Sequence, residues 1–176
     1  MIEAALPGDP ADPGCWPVFA ALLPHAQAAL DPADDGMDKV AGYLGASGSY
    51  AAALAVQRQV LCAREETRGV EHPDTLTARG NLARWTGMAG DAAGARDQFA
   101  ALVPVFERVL GAEHPATLTA RANLARWTGM AGDAAGARDQ YAALVPVRER
   151  VLGAEHPDTL TARANLAHWT RMAQNP

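Results

Sequence analysis

The amino-acid sequence predicts an all-α fold, a solenoid of stacked antiparallel helical hairpins, and three observations carry that prediction. One segment recurs in register: His72-Pro73, His114-Pro115 and His156-Pro157 stand 42 residues apart, as do Trp85, Trp127 and Trp169, and Asn81, Asn123 and Asn165. Residues 72–113 and 114–155 agree at 38 of 42 positions and differ only at Asp74/Ala116, Gly80/Ala122, Phe99/Tyr141 and Phe106/Arg148. A third copy runs for 21 residues, 15 of which match the second. A period of this size marks an array in which each unit buries its apolar face against its neighbours. Within a unit the apolar residues fall at helical spacing, and Gly, Pro and Asp punctuate the segments between.

Taken in chain order, Met1 to Gly14 is rich in Pro, Gly and Asp and reads as an irregular lead-in over residues 1–14. Residues 15–30 hold an orphan second helix, because Phe19-Ala-Ala-Leu-Leu-Pro24 echoes Phe99-Ala-Ala-Leu-Val-Pro104. A degenerate repeat follows over 31–71, with a short first helix from Met37 to Ala46 and a second from Ser49 to about Glu66. In the repeat 72–113 the first helix is entered through His72-Pro73, with Asp74 or Thr75 as its N-cap, and carries the stripe Ala78, Leu82, Trp85 and Ala89. Gly87 to Asp91 supplies the break, in which Gly90 takes a left-handed conformation and Asp91 caps the next helix. The second helix shows Ala95, Phe99, Leu102, Val103, Phe106, Val109 and Leu110 on one face. Pro104 and Pro146 fall inside these second helices and predict a kink without termination. The repeat 114–155 copies this plan and the half repeat 156–176 copies its first part, for eight helices in a single repeat domain over 15–176. Half-hairpins at both ends point to a fragment of a longer array.

Composition narrows the function. The chain has 49% hydrophobic residues but only 6% aromatic ones, so Ala, Leu and Val do most of the packing and the helices lie close together. Its net charge is -5, with Lys39 the sole lysine, which leaves no basic surplus to offset a phosphate backbone; nucleic acid is not expected as a partner. No signal-peptide pattern opens the sequence and no run of about 18 apolar residues exists for a membrane span, so a cytoplasmic protein without a membrane partner is expected. Cys15 and Cys62 lack metal-ligand spacing and are expected to be free, partly buried thiols.

Here the residues reach a family. Tyr141 to Leu166, with Arg148-Glu-Arg-Val-Leu-Gly-Ala-Glu-His-Pro157 followed by Asn165-Leu-Ala, resembles the 42-residue variety of tetratricopeptide repeat (TPR) found in kinesin light chains and in the sensor arrays of bacterial STAND-type NTPases. The resemblance covers about residues 38–173. The Ala- and Arg-rich, Lys-poor composition looks like the high-GC bacterial versions. Two departures stand out: the usual aromatic late in the first helix is replaced by Trp one position earlier, and Gly94 and Gly136 weaken the second helix. The resemblance implies a right-handed superhelix with the first helices on its concave face and the second helices on its convex face, and it implies a protein-binding role.

One stripe of each first helix avoids the apolar face: Thr77, Asn81, Arg84 and Met88, then Thr119, Asn123, Arg126 and Met130, then Thr161, Asn165, His168 and Met172. Asn can donate to and accept from a peptide backbone, and Arg forks to carboxylates. In the family this Asn commonly contacts ligand backbone. The Lys that TPR carboxylate clamps place just before it is Gly80, Ala122 or Ala164 here, so strong recognition of an acidic C-terminal tail is not expected. The competing reading gives the same Asn and Arg to backbone carbonyls and carboxylates of adjacent units. His72, His114 and His156 are too far apart to share one metal ion and read as caps or loop hydrogen-bond partners. Trp85, Trp127 and Trp169 read as core spacers.

No P-loop, catalytic triad or metal-ligand set is present in the sequence, and neither catalysis nor a cofactor is expected. Two functions follow. The first is a non-catalytic scaffold that binds an extended peptide or partner protein, as the sensor arm of a larger protein. The alternative is a structural array that forms homo-oligomers by end-to-end stacking of its unfinished terminal helices.

Overall fold

The computed structural model describes residues 2–174; Met1 of the lead-in and Asn175 and Pro176 of the last half repeat lie outside the described residues. Among the described residues every regular element is helical. They fall into two compact units, one up to Ala89 and one from Gly90.

In the first unit α1 (Ile2–Ala5) and a 3-10 turn (Pro13–Cys15) lead into α2 (Trp16–Ala29), α3 (Asp35–Ala46), α4 (Tyr50–Arg68) and α5 (Pro73–Met88). The lead-in, read from composition as irregular, is tied down by its few apolar groups. Leu6 is buried among Phe19, Met37 and Val40, and the Trp16 indole N–H donates to the Pro10 carbonyl at 3.3 Å. The core is lined by small and aliphatic residues, with Phe19 stacked on Tyr43 at 5.1 Å.

The second unit holds α6 (Ala92–Leu110), α7 (Pro115–Met130), α8 (Ala134–Leu152) and α9 (Pro157–Gln174), with α7, α8 and α9 packed successively against one another. Helices α6 and α8 run through Pro104 and Pro146 without ending. Both prolines are exposed or close to it, as are Ala100 and Ala142 four residues earlier, so the carbonyls that lose an N–H partner face water.

Helix ends follow a rule stricter than the 42-residue period. Gly48, Gly69, Gly90, Gly111, Gly132 and Gly153 all have φ between +85° and +107°, a conformation costly for any residue with a Cβ, and they recur every 21 residues. The stops are therefore evenly spaced along the chain, while the helices they end alternate between 16 and 19 residues from α5 to α8. At the starts, Asp91 and Asp133 accept from the N–H of Gly94 and Gly136 at 2.8 Å. A Cβ on either glycine would lie 2.2 Å from the capping carboxylate, so Gly94 and Gly136 serve the cap instead of helix packing. Of the residues that the sequence offers as caps of the first helices, the histidines serve and Asp74 and Thr75 do not. Pro73, Pro115 and Pro157 occupy the first helical position, which places the cap on the residue before each: His72, His114 and His156 accept through Nδ1 from the N–H two residues on, at 3.1 to 3.2 Å.

Repeats are locked by tryptophan. Trp85 lies against Gly45, where a Cβ would come within 2.1 Å of the ring, and Trp169 lies against Gly129, where the distance would be 2.5 Å. Gly129 and its counterpart Gly87 are inside helices and buried, not part of the turn as the sequence suggests. Alanine at Gly129 overfills this contact, and Gly129→Ala is expected to cost about 1–3 kcal/mol in guanidinium denaturation, whereas Ala135→Ser on the exposed side of α8 leaves the midpoint unchanged.

Candidate functional site

Helix α5 turns Trp85 inward, and that rotation carries the stripe of the same helix outward. Thr77, Arg84 and Met88 are exposed and Asn81 is half-buried; α7 repeats this with Thr119, Arg126, Met130 and Asn123, and α9 with Thr161, His168, Met172 and Asn165. Methionine contributes Met88, Met130 and Met172 to the exposed large apolar side chains, at 36%, 57% and 47% exposure. In the second unit Met130 and Met172 sit at corresponding ends of α7 and α9, helices that touch each other.

The polar members of the stripe divide between structural and open roles. Asn81 donates to Asp38 at 3.4 Å and thereby ties α5 to α3, while Asn123 donates to the Thr119 carbonyl in its own helix at 3.0 Å. Thr77 donates to the Pro73 carbonyl. Arg84 and Arg126 lay their guanidinium groups 4.0 and 5.0 Å from the rings of Trp85 and Trp127, which orients both cations while leaving them exposed. His168 meets Trp169 edge to face at 4.7 Å. A cavity of about 460 Å³ in the second unit is lined by Gly129, Trp169, Met172 and the start of α8, and so adjoins the end of the α9 stripe.

Behind the stripe lie polar groups at positions where the sequence pattern suggests apolar or solvated side chains. Arg64 of α4 is 1% exposed, and its guanidinium meets Asp35 at 2.9 Å and Asp38 at 2.6 Å, with further bonds to the Ala33 and Asp74 carbonyls. Gln57, also buried, donates to Asp38 at 3.0 Å. Two repeats on, Tyr141 stands in the register of Gln57 and Arg148 in that of Arg64, both buried. The Tyr141 hydroxyl donates to the Ala122 carbonyl at 3.0 Å; Arg148 donates to the Asp158 carbonyl at 2.7 Å and the Leu118 carbonyl at 3.2 Å. Burial lowers the pKa of the Arg148 guanidinium, opposed by the charge of the Asp158 carboxylate. The signal for Tyr141 and Arg148 was in the sequence: Phe99/Tyr141 and Phe106/Arg148 are two of the four changes between near-identical repeats.

Among the described residues no three His, Cys, Asp or Glu side chains converge as metal ligands, and no helix is long and apolar enough to cross a membrane. Cys15 is half-buried and Cys62 exposed; both thiols are free. Desolvation and Asp12 raise the Cys15 thiol, and a hydrogen bond to Glu66 raises Cys62, which disfavours the reactive thiolate.

The tetratricopeptide repeat family model matches three consecutive segments, residues 36–74, 75–116 and 117–158. No curated protein matches the chain. Among solved structures, a Podosopora anserina protein with nearly identical TPR-like repeats of the kinesin light chain kind superposes with a TM-score of 0.69 at 22% identity, covering 92% of this chain and 79% of that one. A point variant of that same protein gives 0.70 at the same identity and coverage. BtubC (BKLC) from P. vanneervenii gives 0.72 at 17% identity, over 96% of this chain and 68% of that chain. The fold is thus an all-α helical-repeat solenoid.

Burial pushes the Tyr141 phenol from 10.0 up to about 12. The unfolded chain releases this proton near 10 and the folded chain holds it, so this contribution to stability is present below pH 10 and lost as the pH rises toward 12. Denaturant titrations across that interval are expected to show the loss in the native protein and a smaller one in Tyr141→Phe.

Proposed function

Since the chain belongs to the tetratricopeptide repeat family, whose repeats mediate protein–protein interaction and scaffolding, we propose that it is a non-catalytic scaffold whose first helices bind an extended peptide or a segment of a partner protein. The observation that carries this reading is the face of α7 and α9, where exposed Met130 and Met172 accompany Arg126, His168 and half-buried Asn123 and Asn165. Methionine adapts to varied apolar side chains, and exposed apolar groups interspersed with oriented cations suit a ligand that is partly apolar and partly acidic. Arg126 contributes charge and orientation together, because its place over the Trp127 ring limits the entropy lost when a carboxylate docks. The two uses of the stripe are compatible: Asn81 serves the link to Asp38, whereas Asn165 has no side-chain hydrogen bond among the described residues.

The test takes dodecamer peptides selected by display on the native protein. The double change Asn123→Ala with Arg126→Glu is expected to weaken their binding by tenfold or more, about 1.4 kcal/mol, with the helical circular dichroism spectrum unchanged. Undiminished binding by that variant overturns the proposal.

A further inference from the structure

The two buried arginines occupy one register position and differ in what faces them. Around Asp38 in the first unit gather Arg64 at 2.6 Å, Gln57 at 3.0 Å and Asn81 at 3.4 Å, from α4 and α5. Two repeats on, the same positions are Ala122, Arg148, Tyr141 and Asn165, and Asp35, the second carboxylate on Arg64, is replaced by Thr119. The donors are retained and both carboxylates are gone. Arg148, 4% exposed, has no carboxylate within ion-pair distance among the described residues, and its Nε–H is buried with no hydrogen-bond partner. A buried guanidinium whose carboxylate, here Asp158, acts only from beyond ion-pair distance is costly, since backbone carbonyls satisfy donors without neutralising charge. In the first unit this position is in contact with water: the Asp35 side chain is 79% exposed and Asp38 is 22% exposed. Thr119, which stands where Asp35 does, is exposed, and Ala122 and Asn165 are half-buried.

We propose that the cluster of Arg148, Asn165 and Ala122 is a binding subsite for the side-chain carboxylate of an Asp or Glu in an extended peptide. The carboxylate answers the charge that Asp38 answers in the first unit but docks on a different donor, accepting from the unpartnered Arg148 Nε–H and from the Asn165 amide, with Ala122 leaving the Asp38 position free of a side-chain carboxylate. This deepens the scaffold reading and rests on it: the stripe of α7 and α9 holds the peptide, and Arg148 behind it selects an acidic residue.

The probe is a capped hexaglutamate peptide, with capped hexaglutamine as control. Hexaglutamate is expected to shift the Arg148 Nε–Hε resonance and to bind the native protein about tenfold more tightly than it binds Ala122→Asp or Arg148→Phe; hexaglutamine does neither. Ala122→Asp supplies the carboxylate from within, so its melting temperature is expected to stand at or above that of the native protein, and Arg148→Phe installs the residue found at Phe106 in the preceding repeat. An Arg148 resonance unmoved by hexaglutamate, or equal affinity across the native protein and both variants, overturns the subsite. The Asn123→Ala, Arg126→Glu protein separates the two proposals. Lost binding there with retained binding in Ala122→Asp keeps the stripe and removes the subsite; the opposite pattern keeps the subsite and removes the stripe.

Discussion

The indole of one repeat resting on a glycine of the repeat before it is the contact on which the rest of this chain depends. Trp85 on Gly45 and Trp169 on Gly129 leave no room for a single methyl group between them. Such contact fixes two quantities together, the separation of consecutive first helices and the rotation of each about its own axis. With only 6% aromatic residues, the chain spends its few large side chains at this spacing and fills the remainder with Ala, Leu and Val. Exposure follows on the same helix: Trp127 is buried while Arg126 and Met130 beside it are exposed.

A second level of design lies in the interior of the second helices. Their packing face carries Gln57 and Arg64 in α4, Phe99 and Phe106 in α6, and Tyr141 and Arg148 in α8. An aromatic pair contributes burial alone; an arginine brings a charge that must be answered. In α4 the answer comes from Asp35 and Asp38 of the preceding helix. In α8 the hydrogen bonds come from backbone carbonyls, and the Asp158 carboxylate acts only from beyond ion-pair distance. The nearly identical repeats 72–113 and 114–155 also differ inside, where Phe99 and Phe106 of α6 become Tyr141 and Arg148 of α8.

Much of this was legible from residues because it rests on local rules. Helical periodicity placed the second helices, Gly90 and Asp91 announced their turn, and the face that avoids the apolar stripe is the face left exposed. Failures came where a tertiary partner or a neighbouring residue changes the meaning of a position. Proline at position 73 moves the cap from Asp74 to His72. Gly87 looks like a turn residue next to Gly90, yet it lies inside α5 and is buried. Leu6 and Pro10 hold the lead-in against α2 and α3 although their surroundings are polar and loop-like. Arg64 and Arg148 were the hardest to see, because an arginine is ordinarily solvated and only a facing carboxylate or carbonyl makes its burial tolerable. For Arg148 the change from Phe106 between duplicated repeats was the one sequence signal.

The central claim, that the first-helix face is the binding surface, is tested most directly by mapping backbone and side-chain resonances of the isotopically labelled protein as a display-selected peptide is added. The account predicts shifts concentrated at Thr119, Asn123, Arg126, Met130, Asn165, His168 and Met172. Shifts concentrated on the exposed side of α8, around Ala142 and Pro146, would contradict it.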